Sequence, residues 1–420
     1  MPQVHHQRTG SETNPVNWMR LATLAWCLLC VECNSIWNPF LADRCTSSER
    51  CSDASPNQEE LTDISATPSD MNGVRQVKFA NAVNYSVGTG PISIATGDVD
   101  ADQKPDLLTA NSNSGTVSIL QGTGSGAFSR LKELTVGGSP SFIVISDFNL
   151  DMKADFAISD LVNKNVTIFI GDGKGGFTAS IARNVSSRPV SMFVGDFDRD
   201  TTNDIAVAID QSGLISVLFG DGTGNFSGSK DYTVGLAPAF VAAGDLNRDG
   251  KLDLVFANSN SSSLSGILTG DGSGNFGSVN PLLGTAQSYS VAIGDLNGDG
   301  VNDLVFSSSS SRCDVWINNI SLTFSGRYQV GTNPRSPIVA DFNGDMHADI
   351  ATANSGSNNI GVLLGDRTGN FSQPVYFAVG TGPFSLTTGD FNGDKKPDLA
   401  AANTLSGNPG TVSVLVNVTP

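Results

Sequence analysis

A nine-residue acidic stretch returns seven times along this chain, and the regularity of its return limits the possible folds more than any other feature. The copies are "DVDADQKPD" from residue 98, "DFNLDMKAD" from 147, "DFDRDTTND" from 196, "DLNRDGKLD" from 245, "DLNGDGVND" from 295, "DFNGDMHAD" from 341 and "DFNGDKKPD" from 390. Successive copies start 49, 49, 49, 50, 46 and 49 residues apart. A short apolar run such as "PISIATG" leads into each, and a second such as "DLLTAN" or "DLVFAN" leaves it. A third, alternating run ("TVSILQG", "VTIFIG", "ISVLFG") ends in a glycine-rich turn of the type "GDGTGNF", and a fourth closes the unit near "VGGSP". Four strands of five or six residues with their turns account for about 49 residues, so each unit reads as a four-stranded antiparallel meander.

One such sheet cannot bury both of its faces, and seven must pack against one another in a row or a ring. The ends of the chain choose the ring. The seventh unit stops at Pro420 after three strands, and the missing fourth stands at the front, where "FANAVNYSVGTGP" (79–91) matches the fourth strand of unit six, "VYFAVGTGP" (375–383). The expected fold class is therefore all-β: a seven-bladed β-propeller whose N-terminal strand completes the last blade and leaves few exposed edges. Abundant glycine (46 residues) and only 15% charged residues agree with short strands and tight turns.

The acidic loop joined to the glycine–phenylalanine turn resembles the FG-GAP repeat of integrin α-subunit propellers and of proteins with VCBS-type repeats. The resemblance covers residues 77–420. It implies a propeller that carries adhesion receptors, lectins and some polysaccharide lyases, so it speaks to fold more than to function.

Like charges crowded into nine positions repel unless a cation sits between them. Carboxylate or amide oxygens at positions 1, 3 and 5, a main-chain carbonyl at 7 and a carboxylate at 9 supply the hard oxygens that Ca²⁺ prefers. Carried over from the family pattern, the candidate ligands are Asp98, Asp100, Asp102 and Asp106; Asp147, Asn149, Asp151 and Asp155; Asp196, Asp198, Asp200 and Asp204; Asp245, Asn247, Asp249 and Asp253; Asp295, Asn297, Asp299 and Asp303; Asp341, Asn343, Asp345 and Asp349; and Asp390, Asn392, Asp394 and Asp398. Up to seven calcium ions would then offset fourteen of the seventeen net negative charges. The competing reading is a set of Asx-type turns whose side chains bond their own backbone. Family loops have glycine at position 6, which here is true of Gly250 and Gly300, while Gln103, Met152, Thr201, Met346 and Lys395 would be strained if φ is positive there. His347 stands at position 7, where the family uses the main-chain oxygen, and its ring is expected to point outward.

Asp172, Asp221, Asp271 and Asp366 in the "GDG" turns read as turn formers rather than additional ligands. Phe128, Phe177, Phe226, Phe276 and Phe371 read as fillers between blades. The opposite face carries small polar loops such as "NSNSG" (111–115) and "NTLSGNPG" (403–410), suited either to hydrogen-bonding a sugar or partner or to plain exposed turns.

The net charge of −17, with no stripe of Lys and Arg, argues against nucleic acid. Residues 1–37 hold the apolar run "LATLAWCLLCV" (21–31), shorter than the about 20 residues of a bilayer span, and read as a signal peptide with cleavage near 33–37; a signal anchor or a buried helix are the alternatives. Residues 38–75 read as a polar linker, and the propeller is expected over 76–420. Five of the six cysteines fall before residue 52; Cys45 and Cys51 are either a short-loop pair or free thiols, and the main body is no disulfide scaffold. Of three histidines, His5 and His6 lie in the leader, so no Ser/His/Asp or Cys/His grouping assembles in the repeats. Eight Asn-x-Ser/Thr sequons, among them Asn417, matter only in a eukaryotic secretory route.

The expectation is thus a non-enzymatic, secreted or cell-surface, calcium-binding module, monomeric, for an extracellular protein or glycan. It would touch a membrane only through an uncleaved leader. The alternative is a calcium-dependent carbohydrate-active enzyme of the polysaccharide lyase type.

Overall fold

The computed structural model describes residues 76–420 except 286, 310, 320, 406 and 408. The expected leader at 1–37 and linker at 38–75, with their five cysteines, lie outside the described residues. The described residues form strands and turns, with no helix among them.

Blade 1 is β2 (Pro91–Gly97), β3 (Asp106–Asn111), β4 (Thr116–Gly122) and β5 (Phe128–Thr135), after a first strand β1 (Val83–Val87) that belongs elsewhere. Blade 2 is β6 (Pro140–Ser146), β7 (Asp155–Asp160), β8 (Asn165–Gly171) and two short pieces, β9 (Phe177–Ala179) and β10 (Arg183–Asn184). Blade 3 is β11 (Pro189–Gly195), β12 (Asp204–Ile209), β13 (Leu214–Gly220) and β14 (Phe226–Thr233), and blade 4 is β15 (Pro238–Gly244), β16 (Asp253–Asn258), β17 (Gly266–Leu268) and β18 (Asn280–Pro281). Blade 5 is β19 (Ser288–Gly294), β20 (Asp303–Ser308), β21 (Arg312–Asn318) and β22 (Leu322–Gln329). Blade 6 is β23 (Pro334–Ala340), β24 (Asp349–Asn354), β25 (Asn359–Leu363) and β26 (Val375–Ala378), and blade 7 holds β27 (Pro383–Gly389), β28 (Asp398–Asn403) and β29 (Gly410–Leu415).

Every pairing is antiparallel, and β1 completes blade 7 in the order β1-β29-β28-β27, with Val83 opposite Val414 and Val87 opposite Gly410. The inner strands β2, β6, β11, β15, β19, β23 and β27 each touch the next, and β27 touches β2, so the ring is closed. The seven-bladed, self-closed propeller expected from the repeat is what the chain forms. One regularity fails: the outer strand of blade 2 is broken, and β9 and β10 both pair with β8.

The core is seven cores, one at each junction between neighbouring blades. Leu108 and Ile119 of blade 1 pack with Ile143 and Phe156 of blade 2, for example, and Ala400 and Val412 of blade 7 with Leu107 and Leu120 of blade 1. Every second strand is buried along its whole length because a neighbouring blade covers each of its faces. This is why those strands read as unbroken apolar runs rather than alternating ones. Phe128 packs edge-on against Phe391 across the last junction, at 5.3 Å between ring centres, and Phe276 against Phe197 at 5.8 Å. Phe177, Phe226 and Phe371 sit in the corresponding junctions, as expected of blade fillers.

Candidate metal-binding loops

Each acidic loop joins the first strand of its blade to the second, and the glycine turn joins the third to the fourth, so both motifs share one face of the ring. In all seven loops the first aspartate accepts the amide of position 6 on Oδ2, at 2.7–3.0 Å. The fifth-position aspartate accepts the amide of position 7 on Oδ1, at 2.8–3.0 Å. These are Asx-type turns, so the loops are bound by their own backbone. An ionised carboxylate has about four acceptor positions, however, and the amides take only part of them.

Two loops gather three carboxylates whose oxygens all lie within 4.8 Å of one another: Asp98, Asp100 and Asp106, and Asp196, Asp198 and Asp204. These are the two loops with aspartate at position 3. The other five have asparagine there, which offers a neutral amide oxygen instead. The donors are carboxylate, amide and main-chain oxygens, a set that fits a hard divalent cation and not a thiolate-seeking metal. Burial, then the neighbouring Asp200 carboxylate, pushes the Asp198 pKa upward, as expected where negative charge is crowded.

The seventh-position residues differ among blades. Lys104, Lys153 and Lys251 reach back to Asp102, Asp151 and Asp249 at 2.9–3.1 Å, so in these three loops an ammonium already holds one carboxylate oxygen. His347 does not point simply outward: its Nδ1 lies 3.5 Å from Asp345 Oδ1, with the side chain 30% exposed.

The ninth-position aspartates play a part that the sequence reading did not assign to them. Each is buried at the start of its second strand. Oδ2 accepts the amide of loop position 2, at 2.8–3.1 Å. Oδ1 accepts the amide of the residue ending the third strand or just beyond it, at 2.6–2.9 Å. One carboxylate thus ties the loop to the third strand in every blade. Burial raises these carboxyls from 3.8 to about 6 at Asp106, Asp253 and Asp303, about 7 at Asp204 and Asp398, and about 8 at Asp349, against the lowering effect of the two amides. Asp155 is raised for the same reason.

The donor to Oδ1 is glycine in five blades, where a Cβ would stand 2.1–2.4 Å from the carbonyl oxygen preceding the ninth aspartate. Blades 5 and 7 lack the glycine turn and use Asn318 and Asn417. Their side-chain amides donate to that same preceding carbonyl, at Asn302 (3.2 Å) and Pro397 (3.1 Å). They also donate to the position-2 carbonyl of the blade before, at Leu246 (2.7 Å) and Phe342 (2.8 Å). At four other junctions a turn glycine does this second job with its backbone, as when the Gly126 amide donates to Phe391 and the Gly224 amide to Phe148. Each acidic loop so treated is fastened to the next blade.

The "GDG" aspartates accept amides of their own turns, Asp172 from Lys174 and Gly176, and Asp271 from Ser273 and Asn275. They are turn formers, as their position beside glycine indicates. On the opposite face, Asn111, Asn354 and Asn403 end their second strands buried, bonded to Thr116, Asn359 and Thr411 at the start of the third.

A closed seven-bladed propeller with an acidic loop in each blade is the class that fold and site define. The family model described as the FG-GAP-like repeat matches at residues 98–158, 147–207, 196–256, 245–306, 295–352 and 341–401, and the chain belongs to this family. No curated protein sequence matches it. Among solved structures, BBS1N in complex with ARL6DN is similar at 14% identity and a TM-score of 0.57, over 82% of this chain and 98% of that one. A catalytically inactive virginiamycin B lyase from Staphylococcus aureus with Quinupristin is similar at 16% identity and 0.54, over 81% and 99%. Raptor of Chaetomium thermophilum is similar at 12% and 0.54, over 82% of this chain and 29% of that chain. Likeness at these identities speaks to the propeller alone.

Proposed function

We propose that this protein is an exported calcium-binding propeller that serves as a binding or adhesion module for an extracellular protein or glycan. The observation that carries the reading is the pair of three-carboxylate clusters at Asp98, Asp100, Asp106 and Asp196, Asp198, Asp204, set in loops of a repeat that recurs in all seven blades. Calcium held by the oxygens at positions 1, 3, 5 and 9 of a loop would remove the repulsion among them and stiffen the face on which loops and glycine turns lie. The two clusters bring the most negative charge, and the one at Asp196, Asp198 and Asp204, whose loop has no lysine, would bind first. Loops carrying Lys104, Lys153 or Lys251 would bind more weakly, because the ammonium competes for the fifth-position carboxylate. The FG-GAP propeller is generally a protein-binding scaffold and typical of extracellular proteins, which supports this reading.

Thermal melts with Ca²⁺ and with EDTA test the reading. Each site saturated a hundredfold above its Kd adds about 2.7 kcal/mol, so EDTA should lower the midpoint by several degrees and added Ca²⁺ should restore it. Identical melts would remove calcium from the account. A glycan and matrix-protein screen run in both buffers should give binding that EDTA weakens, and conversion of a polyuronide to unsaturated oligosaccharide would replace this reading with an enzymatic one.

A further inference from the structure

The first strand of every blade departs from regular pairing near its start. In six blades the register shifts across one residue, and the residue left over is Ile92, Ser141, Val190, Ala239, Tyr289 or Phe384. A bulge re-aims the side chain that it frees, and these six all line one cavity of about 250 Å³ on the propeller axis. Asp210 and Ser259, from turns that follow second strands, line it too, so its mouth is on the face opposite the acidic loops.

Blade 6 breaks the pattern. Where the other blades have a residue with an amide, it has Pro337, which cannot donate. The irregularity widens to the stretch between Arg335 and Ile338, Ser336 is forced to a φ of 44°, and Ser290 Oγ accepts the Ser336 amide at 2.9 Å. Positive φ in a residue that is not glycine is strain, and retained strain gathers at sites with a use. The strained stretch presents Arg335 to the cavity.

The Arg335 guanidinium carbon lies 3.6 Å from the ring centre of Tyr289 in blade 5 and 4.9 Å from that of Phe384 in blade 7. Two aromatic neighbours therefore hold the fork in place. Its Nε is buried with no hydrogen-bond partner, and no carboxylate of the described residues stands within ion-pair distance of the group. The other charged pair on the lining, Arg188 and Asp210, is self-balanced at 3.8 Å. A desolvated cation without a counter-charge is costly to maintain, and burial pushes its pKa below the ordinary guanidinium value. Ser290, Ser336 and Ser385 stand on the same lining, their hydroxyls bonded to neighbouring strands.

We propose that the axial cavity binds a small oxyanion, a carboxylate or sulfate-type group held in the fork of Arg335 between the faces of Tyr289 and Phe384. A planar guanidinium presents paired donors that match such a group two-pronged. The cavity is smaller than the pockets of drug-sized ligands, so a monosaccharide-sized anion or a bare inorganic one is the fitting guest. The site is independent of the acidic loops on the other face.

The test uses the full chain in Ca²⁺ at constant ionic strength, with sodium sulfate, sodium glucuronate and neutral glucose as probes and the melting midpoint and titration calorimetry as readouts. At least one of the two anions should raise the midpoint saturably and bind one to one, with glucose inert. Response to sulfate alone assigns an inorganic oxyanion, and response to glucuronate alone an organic carboxylate. Arg335→Met should bind the responding anion at least tenfold more weakly. Arg335→Lys, which keeps the charge and loses the fork, should fall between, and it carries the test if the methionine variant does not fold. No shift from either anion, an unchanged affinity in these variants, or glucose acting as strongly as glucuronate would overturn the proposal.

Discussion

Two places in each acidic loop, positions 4 and 6, lie at positive φ, and what occupies them decides how much strain a blade carries. At position 6, Gln103, Met152, Thr201, Met346 and Lys395 have φ of 62–74°, beside Gly250 and Gly300 at 72° and 77°. Strain at those five followed from the family pattern. Position 4 is equally left-handed, with Ala101, Leu150, Arg199 and Arg248 at 61–63°, and its only mark in the sequence is Gly298, Gly344 and Gly393 in the last three repeats. Met152 and Met346 are 94% and 84% exposed and so pack against little. Replacing either by glycine relieves about 1–2 kcal/mol of backbone strain and costs part of that in unfolded-chain entropy. Met152→Gly and Met346→Gly should each gain about 0.5–1 kcal/mol in denaturant unfolding; a loss would show that the side chain has a role that its exposure hides.

Within a blade, the ninth aspartate is the joint on which loop and third strand depend. The sequence showed the residue and its spacing and suggested a cation partner. It did not show the amide 15–19 residues further on, because a buried acceptor's partner is set by strand pairing and not by local pattern. The same limit hid the equivalence of Asn318 and Asn417 with the glycines of the other five blades. Asn417→Ala would take the donor from the Pro397 carbonyl and leave the Phe342 carbonyl only the longer bond from the Thr419 hydroxyl at 3.4 Å, in a site where Asn417 is 1% exposed. The expected cost is about 2 kcal/mol, read as a lower denaturation midpoint with an unchanged slope. The burial of Asn417 also makes its sequon unusable in the folded protein.

For the whole molecule, closure is the decisive contact. The N-terminal segment pairs with β29 from Val83–Val87, and further out Ala80 donates to Val416 and Val418 to Lys78. Starting the chain at residue 91 would expose β29 as an edge next to an unfilled junction. Such a truncation should unfold at a clearly lower temperature and associate in gel filtration, and a monomer as stable as the parent would show that the ring holds without its clasp. The ninth-position carboxyls add a pH dependence. The unfolded chain loses these protons near pH 3.8, while the folded chain keeps them to about 6–8. The folded state then binds more protons in that window, and stability must fall as pH rises through it. In EDTA the melting midpoint should decline from pH 5 to pH 8, and Ca²⁺ should flatten the decline.

The sequence by itself determined the period, the strand order within a blade, the number of blades and the terminal strand exchange. All of these are written in local alternation and in motifs that repeat at fixed spacing. The tertiary structure alone decided what meets on the axis. Ile92, Tyr289, Arg335 and Phe384 come from four different blades and share no motif, and only the closing of the ring and the bulge in each inner strand put them around one cavity. Contacts between residues so far apart in the chain depend on register and curvature, which a period of 49 residues does not encode.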